Sequence, residues 1–194
     1  MPTKLTELTW DASVLPAVQA PGTRVALFTF KTHLAGFVWD AAQLENNPYT
    51  FVEVKTLLDG VTVGGHKVSD TEQVLNLADS SKKLIELVQT GRFVLDKKTF
   101  TLLHGIIARN EALEWGVFRG EGEELHYNAR VHLGELGTHF PPATEAGAPE
   151  LNRIFAEGVS QIKALPPFEG GLAMFLFGAY FQFFFDGNKR TSRH

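Results

Sequence analysis

Apolar side chains along this chain recur mostly at helical spacing. From about Arg24 to Glu45 they fall at Val25, Phe28, Leu34, Phe37, Val38 and Leu44, which predicts one helix ending before Asn46-Asn47-Pro48. Thr50-Phe-Val-Glu53 has the spacing of a capping box and opens a short helix that stops at Gly60. Ser69-Asp-Thr-Glu72 has the same spacing, and Val74, Leu75, Leu77, Leu84, Ile85 and Val88 continue that helix to Gly91. Between them Val61–Lys67, with Gly64-Gly65 inside, reads as a loop or small hairpin. Asp96 caps a helix through Phe100, Leu103 and Ile107, and Pro149 suits the first turn of another carrying Leu151, Ile154, Phe155, Val159 and Ile162. Pro166-Pro167 closes that helix, and a Phe-rich one starts near Phe168. The segment Gly116–Thr138 holds five glycines and short alternating runs, the pattern of a β-hairpin or extended flap. The expectation is one mainly helical domain with a small β-hairpin flap, without internal repeat, low-complexity tract or linker.

Composition narrows the function. A chain of 194 residues, 44% hydrophobic with 16 Phe, is long enough to bury a sizeable core. A net charge of −4 gives no general electrostatic case for nucleic acid or a membrane surface. The absence of cysteine excludes disulfides and thiolate metal sites and suits a reducing cytoplasm. Gly170–Phe181 is continuously apolar but shorter than the roughly 20 residues that span a bilayer, so it reads as a buried helix.

The chemistry concentrates in Phe181-Gln-Phe-Phe-Phe-Asp-Gly-Asn-Lys-Arg-Thr-Ser-Arg-His194. As a bare string, Asp186-Gly187-Asn188-Lys189-Arg190 is either a solvated turn or an anion cradle. In the second case successive backbone N–H groups form a nest, Arg190 and Arg193 share one helix face and can grip phosphate oxygens, and Asp186 can hold Mg²⁺. The P-loop and EF-hand spacings are absent.

The same stretch resembles the Fic family signature His-x-Phe-x-Asp/Glu-Gly-Asn-Gly/Lys-Arg-x-x-Arg, matching from Phe183 to Arg193 with Gln182 where the family has histidine. Gly116-Val-Phe-Arg119 is similar to the family's step before its flap, Phe140-Pro-Pro142 to the step after it, and Pro166-Pro-Phe-Glu-Gly-Gly171 to the entry of the motif helix. Ala41-Ala-Gln-Leu-Glu45-Asn46 resembles the inhibitory motif of an N-terminal helix, with Ala41 where Ser or Thr is usual. The resemblance runs over about residues 25–194, leaving 1–24 as an N-terminal segment and about 25–46 as the inhibitory helix. It implies a further helix after the motif, of which about one turn is present, so the expected domain is truncated at its C-terminus.

What the resemblance implies is transfer of AMP from ATP to a Ser, Thr or Tyr hydroxyl of a target protein that docks on the flap by strand addition. Asp186 would bind Mg²⁺. Gly187 and Asn188 would cradle the phosphates, and Lys189, Arg190 and Arg193 would neutralise them. Glu45, with Asn46, would inhibit through an ion pair to Arg193. Lys189 is similar to the phosphotransferring Doc branch, which has Ala at the Gly187 position. Self-association is a further expectation of the resemblance.

Gln182 holds the position of the general base and has no basic nitrogen near pH 7. Losing a base typically costs about 10²–10⁴-fold in rate, although a glutamine can orient a nucleophile in phosphoryl transfer. Two classes of function are compatible with this change: a transferase impaired at Gln182, and an inactive module that binds nucleotide or protein. The Phe residues around the motif are expected to be mostly core, with one or two beside a base. His104, His126, His132, His139 and His194 are expected to be structural.

Overall fold

A computed structural model describes residues 3–194. A small antiparallel hairpin, β1 (Thr3–Leu5) and β2 (Leu8–Trp10), is followed by helices α1 (Thr23–Thr32), α2 (Leu34–Gln43), α3 (Phe51–Leu58), α4 (Val68–Gln89) and α5 (Lys97–Ile107). A second hairpin, β3 (Val131–His132) with β4 (Thr138–His139), precedes α6 (Pro149–Ile162), α7 (Pro167–Phe181) and α8 (Asn188–Arg193). Among the described residues no helix is long and apolar enough to cross a membrane. The expectation of a mainly helical domain with a small β-hairpin holds.

Several local signals work as read. Thr50 and Glu53 form both halves of the capping box, Asp96 accepts the Thr99 N–H at 2.8 Å, and Pro149 stands in the first turn of α6. Three expectations change. The helix expected over 24–45 breaks at His33, which leaves helical geometry while both its backbone N–H and its Nδ1–H are turned to the Thr29 carbonyl. Ser69–Glu72 forms no box: His66 is stacked on Tyr49 and bonded to Glu53, so the chain turns into α4 at Lys67, two residues early. The flap pairs only at Val131↔His139 and His132↔Thr138. Upstream, the Glu114 carboxylate takes the N–H groups of Glu123 and Glu124 and the Glu121 carboxylate takes that of Phe118, which diverts these donors from a strand ladder.

Two cores result. One, under α2–α4, contains Val38, Ala41, Ala42, Tyr49, Val54, Val74 and Leu77. The other is aromatic: Phe100, Phe118, Phe155, Phe177, Phe181, Phe183 and Phe184 meet in edge and stacked contacts, and Leu5 of the N-terminal hairpin joins them. Trp10 Nε1–H donates to Glu169 on α7 at 2.8 Å, so the hairpin is fastened to the motif helix as well.

Two close fits set the height of α8. Gly178 on α7 faces Ser192 on α8, and a Cβ at Gly178 would lie 1.7 Å from the Ser192 Oγ. His104 of α5, with no exposed surface, stacks on Phe184 with ring centres 3.6 Å apart. Its Nδ1 accepts the Gly116 N–H and its Nε2–H donates to the Asp186 carbonyl, each at 3.0 Å, which fixes a neutral tautomer. Burial pushes its pKa from the ordinary 6.5 down to about 4, with the nearby Arg190 charge adding to the effect.

Gly178→Ala is expected to lower stability in urea unfolding by about 1–3 kcal/mol, and Ser192→Gly to restore part of it by vacating that contact. Below pH 6.5 the unfolded chain takes up a proton that folded His104 refuses until about pH 4. The stability held by the neutral ring is therefore complete above pH 6.5 and lost as the pH falls toward 4, by about 3 kcal/mol. Partly buried His194, also shifted down by desolvation, acts in the same direction. A His104→Gln variant should show a shallower loss across that window, and parallel unfolding curves for the two proteins from pH 7 to 4 would overturn the assignment.

Candidate functional site

α7 ends in a residue of left-handed geometry, Gln182 (φ 50°, ψ 60°). Holding a non-glycine residue there costs about 1–2 kcal/mol, and three contacts offset it. The Gln182 Nε2–H donates to the Ala179 carbonyl at 2.6 Å, its Oε1 accepts from Asn188 Nδ2 at 2.9 Å, and its backbone carbonyl accepts from Arg119 Nε at 2.7 Å. Phe183 and Phe184 then drop into the aromatic core. The chain rises through Phe185 and Asp186 to Gly187 (φ 70°), where α8 begins. Glycine is required there, since a Cβ would meet the Ala108 Cβ at 3.3 Å in addition to the backbone strain.

Asn188 is buried and turned inward. Its Oδ1 accepts the Phe184 N–H, and its Nδ2 donates to the Phe184 carbonyl and to Gln182, all at 2.9 Å. The side chain closes the loop, and the backbone around it is what faces outward. Asp186 is exposed, and its Oδ1 accepts the Gly187 N–H at 2.6 Å.

The cations differ sharply in environment. Lys189 is half-exposed, Arg193 partly buried and Arg190 only 3% exposed. Arg190 Nη1 donates to Glu111 Oε2 at 2.6 Å, with Asp186 Oδ1 at 3.7 Å and Glu45 Oε1 at 3.9 Å also near its guanidinium, while its buried Nε has no hydrogen-bond partner. It is the hub of a carboxylate cluster rather than an open arm. Glu111 gave no sequence signal: it comes after α5, just past the left-handed Asn110, and meets Arg190 from 79 positions away.

The expected Glu45–Arg193 pair is exchanged for two others. Glu45 Oε1 lies 3.2 Å from Lys189 Nζ, and Arg193 Nη2 lies 3.8 Å from Asp40 Oδ2 with its guanidinium over the Phe37 ring. The physical reason is the end of α2 at Gln43: Glu45 sits beyond the helix in a turn that Asn46 completes at φ 59°, so its carboxylate swings to the start of α8. Asp40, still on α2, faces the last turn of α8. Asn46 acts through this backbone geometry. The neighbouring Asn47 is the buried anchor, donating to the Asp70 carbonyl and Gln73 Oε1 while its Oδ1 accepts the Tyr49 N–H.

His194 and His139 are bonded to backbone. His194 Nδ1–H donates to the Arg190 carbonyl, its Nε2 meets Ser81 Oγ at 3.0 Å, and His139 Nε2–H donates to the Tyr180 carbonyl. Among the described residues no cluster of three His, Cys, Asp or Glu side chains could hold a metal on protein ligands alone. Asp186 suits Mg²⁺ only as the single protein carboxylate beside substrate oxygens, a usual arrangement for that ion. A cavity of about 390 Å³ between α5, α6, α7 and α8 is lined by Phe93, Leu95, Met174 and Arg193 among others. It touches none of Gln182–Arg190, so the turn that opens α8 lies outside it.

No family model matches the sequence, and no curated protein matches it. Solved structures do match by shape. A Fic family protein from Desulfovibrio desulfuricans G20 superposes with a TM-score of 0.63 at 18% identity, covering 92% of this chain and 57% of that one. A Fic domain containing signaling protein from Bacteroides thetaiotaomicron VPI-5482 gives a TM-score of 0.67 at 18% identity, covering 91% of this chain and 65% of that one. The chain thus spans about three fifths of the length of these neighbours. These superpositions, each over more than nine tenths of this chain, make this a Fic fold.

Proposed function

We propose that this chain binds the phosphates of a nucleotide such as ATP, together with Mg²⁺, and belongs to the protein adenylyltransferase class, with transfer weakened at Gln182. The observation that supports this best is the pair of carboxylates set against the turn: Glu45 on Lys189 and Asp40 on Arg193. Both cations belong to the segment that begins at a left-handed glycine, and both are met by acids from one separate element, α2 and the turn after it. Carboxylates there stand where an incoming phosphate would find its counter-charges, which suits an anion site kept closed by its own chain.

In this reading Lys189 and Arg193 exchange carboxylate for phosphate oxygens. Arg190 stays with Glu111 and holds the base of the turn positive. The Gly187–Asn188 backbone receives phosphate oxygens, and Asp186 offers the metal ligand. Magnesium, when bound, neutralises phosphate charge and orients the oxygens. A target segment would dock along the β3–β4 hairpin and bring a Ser, Thr or Tyr hydroxyl to the turn.

One observation favours a second reading, a binding module without turnover. The Gln182 amide has no basic nitrogen to accept a proton, and it is already bonded at both ends, to Ala179 and Asn188, which holds it in the loop.

Calorimetry with Mg²⁺ and ATP on the wild type, Glu45→Gly and Asp40→Asn tests the binding site. Both variants should bind more tightly, Glu45→Gly by about five- to tenfold, because the ion pairs they remove are partly exposed and weak. Absence of binding in all three proteins sinks the nucleotide reading. Gln182→His, a residue type that accepts left-handed geometry comparatively well, should raise self-modification with labelled ATP by about 10²-fold or more if only the base is missing. Binding without any gain in transfer would decide for the inactive module.

A further inference from the structure

Arg119 is a charged side chain with no exposed surface, and none of its hydrogen bonds goes to a carboxylate. Its three nitrogens each donate to a neutral oxygen, in two places: Nε to the Gln182 carbonyl at 2.7 Å, Nη1 to Thr144 Oγ1 at 2.7 Å and Nη2 to the Pro142 carbonyl at 3.0 Å. Its backbone N–H adds a fourth bond, to the Phe183 carbonyl at 2.9 Å. One guanidinium therefore joins the outgoing side of the flap, at 142–144, to Gln182, and the Arg119 backbone holds the next residue, Phe183. Its own backbone lies at the incoming side of the flap.

The two sides of the flap are also locked together beneath it. Gly120 accepts the Gly147 N–H at 2.7 Å and lies so close to Glu145 that a Cβ would stand 2.0 Å from that carbonyl. Further out, Tyr127 rests edge-on against Phe185 with ring centres 5.1 Å apart, and His139 packs on Tyr180. A buried cation held by neutral dipoles is costly to desolvate, and it persists where rigid geometry supplies every acceptor.

We propose that Arg119 is a positioning residue that couples the seating of the flap to the left-handed geometry of Gln182, so that a shift at the flap base is felt at the α7–α8 loop. When the flap base shifts, Thr144 and Pro142 carry the guanidinium with them, and its hold on the Gln182 carbonyl changes. Gln182 in turn supports Asn188 Nδ2, the side chain that closes the loop. The planar fork is essential, because three acceptors lying in two different segments match guanidinium geometry and exceed what an ammonium can hold in one plane. This inference goes beyond the nucleotide reading and needs no nucleotide for its test.

Hydrogen exchange followed by mass spectrometry on the whole chain provides that test. Thr144→Val removes one acceptor at the flap while keeping its shape. It should speed exchange over 182–188 by about tenfold, with the slowest amides of α6 unchanged. Arg119→Lys should produce the same local acceleration, and adding Thr144→Val to it should produce no more. Acceleration confined to 142–147, or additive effects in the double variant, would overturn the coupling. A uniform rise across all helices would assign Arg119 to general stability alone and overturn it too. Should Arg119→Lys fold poorly, the Thr144→Val profile decides the matter by itself.

Discussion

The site depends on one side-chain amide. Asn188 binds both the N–H and the carbonyl of Phe184 and takes the Gln182 oxygen as well, which closes the loop after α7 into a compact ring. That closure lets Phe183 and Phe184 enter the aromatic core while Asp186 and Lys189, on either side of the turn, stay at the surface. Buried amides of this kind are cheap only when each donor and acceptor is matched, and expensive once a partner is lost. The rest of the architecture meets this requirement. His104 steadies the Asp186 carbonyl from α5, Arg119 steadies the Gln182 carbonyl from the flap, and Ser192 sets α8 against Gly178.

Charge is arranged around this ring in two tiers. The inner tier, Arg190 with Glu111, is nearly shut off from water and connects through Gln73 to Asn47 at the turn after α2. Removing Glu111 would take away the carboxylate that is hydrogen-bonded to buried Arg190 and leave only the more distant Asp186 and Glu45, a large penalty. The outer tier, Lys189 with Glu45 and Arg193 with Asp40, is partly wet and contributes little to folding. The tiers therefore have different uses: the inner one holds α8 to α4 and α5, and the outer one is exchangeable at small cost.

Much of the fold was legible because its punctuation is local. Thr50, Asp96 and Pro149 mark their helices through contacts within three residues, and Gly187 announces a turn by lacking a side chain. The misread parts were decided at a distance. The Ser69 signal lost to His66, whose ring is held by Tyr49 and Glu53 of another segment. The flap's strand pattern lost to carboxylates of Glu114 and Glu121 that claimed its N–H groups. At the site, the partners of the charged positions differed from those expected. A break after Gln43 redirected Glu45 by one turn of α8, and Glu111 has meaning only once α5 lies beside α8. The β1–β2 hairpin has three-residue strands and a Thr6-Glu7 turn without Asn-Gly or Gly, so nothing in its letters announced that Leu5 would reach the core.

The break at His33 has a thermodynamic consequence. α1 buries none of its residues, and its aromatic link to α2 is Phe30 against Phe37. α2, by contrast, is anchored by Val38, Ala41 and Ala42 in the core shared with α3 and α4. The molecule therefore has at least two opening free energies on this side. Detaching α1 gives up that ring contact and shallow packing against α2 and α4, whereas lifting α2 requires opening a core. Phe37 lies at the boundary, with Phe30 on one flank and the Arg193 guanidinium on another. Fraying of α1 thus exposes the ring that carries Arg193 while Asp40 and Glu45 remain in place, so the outermost fluctuation of the fold uncovers the rim of the site without unlocking it.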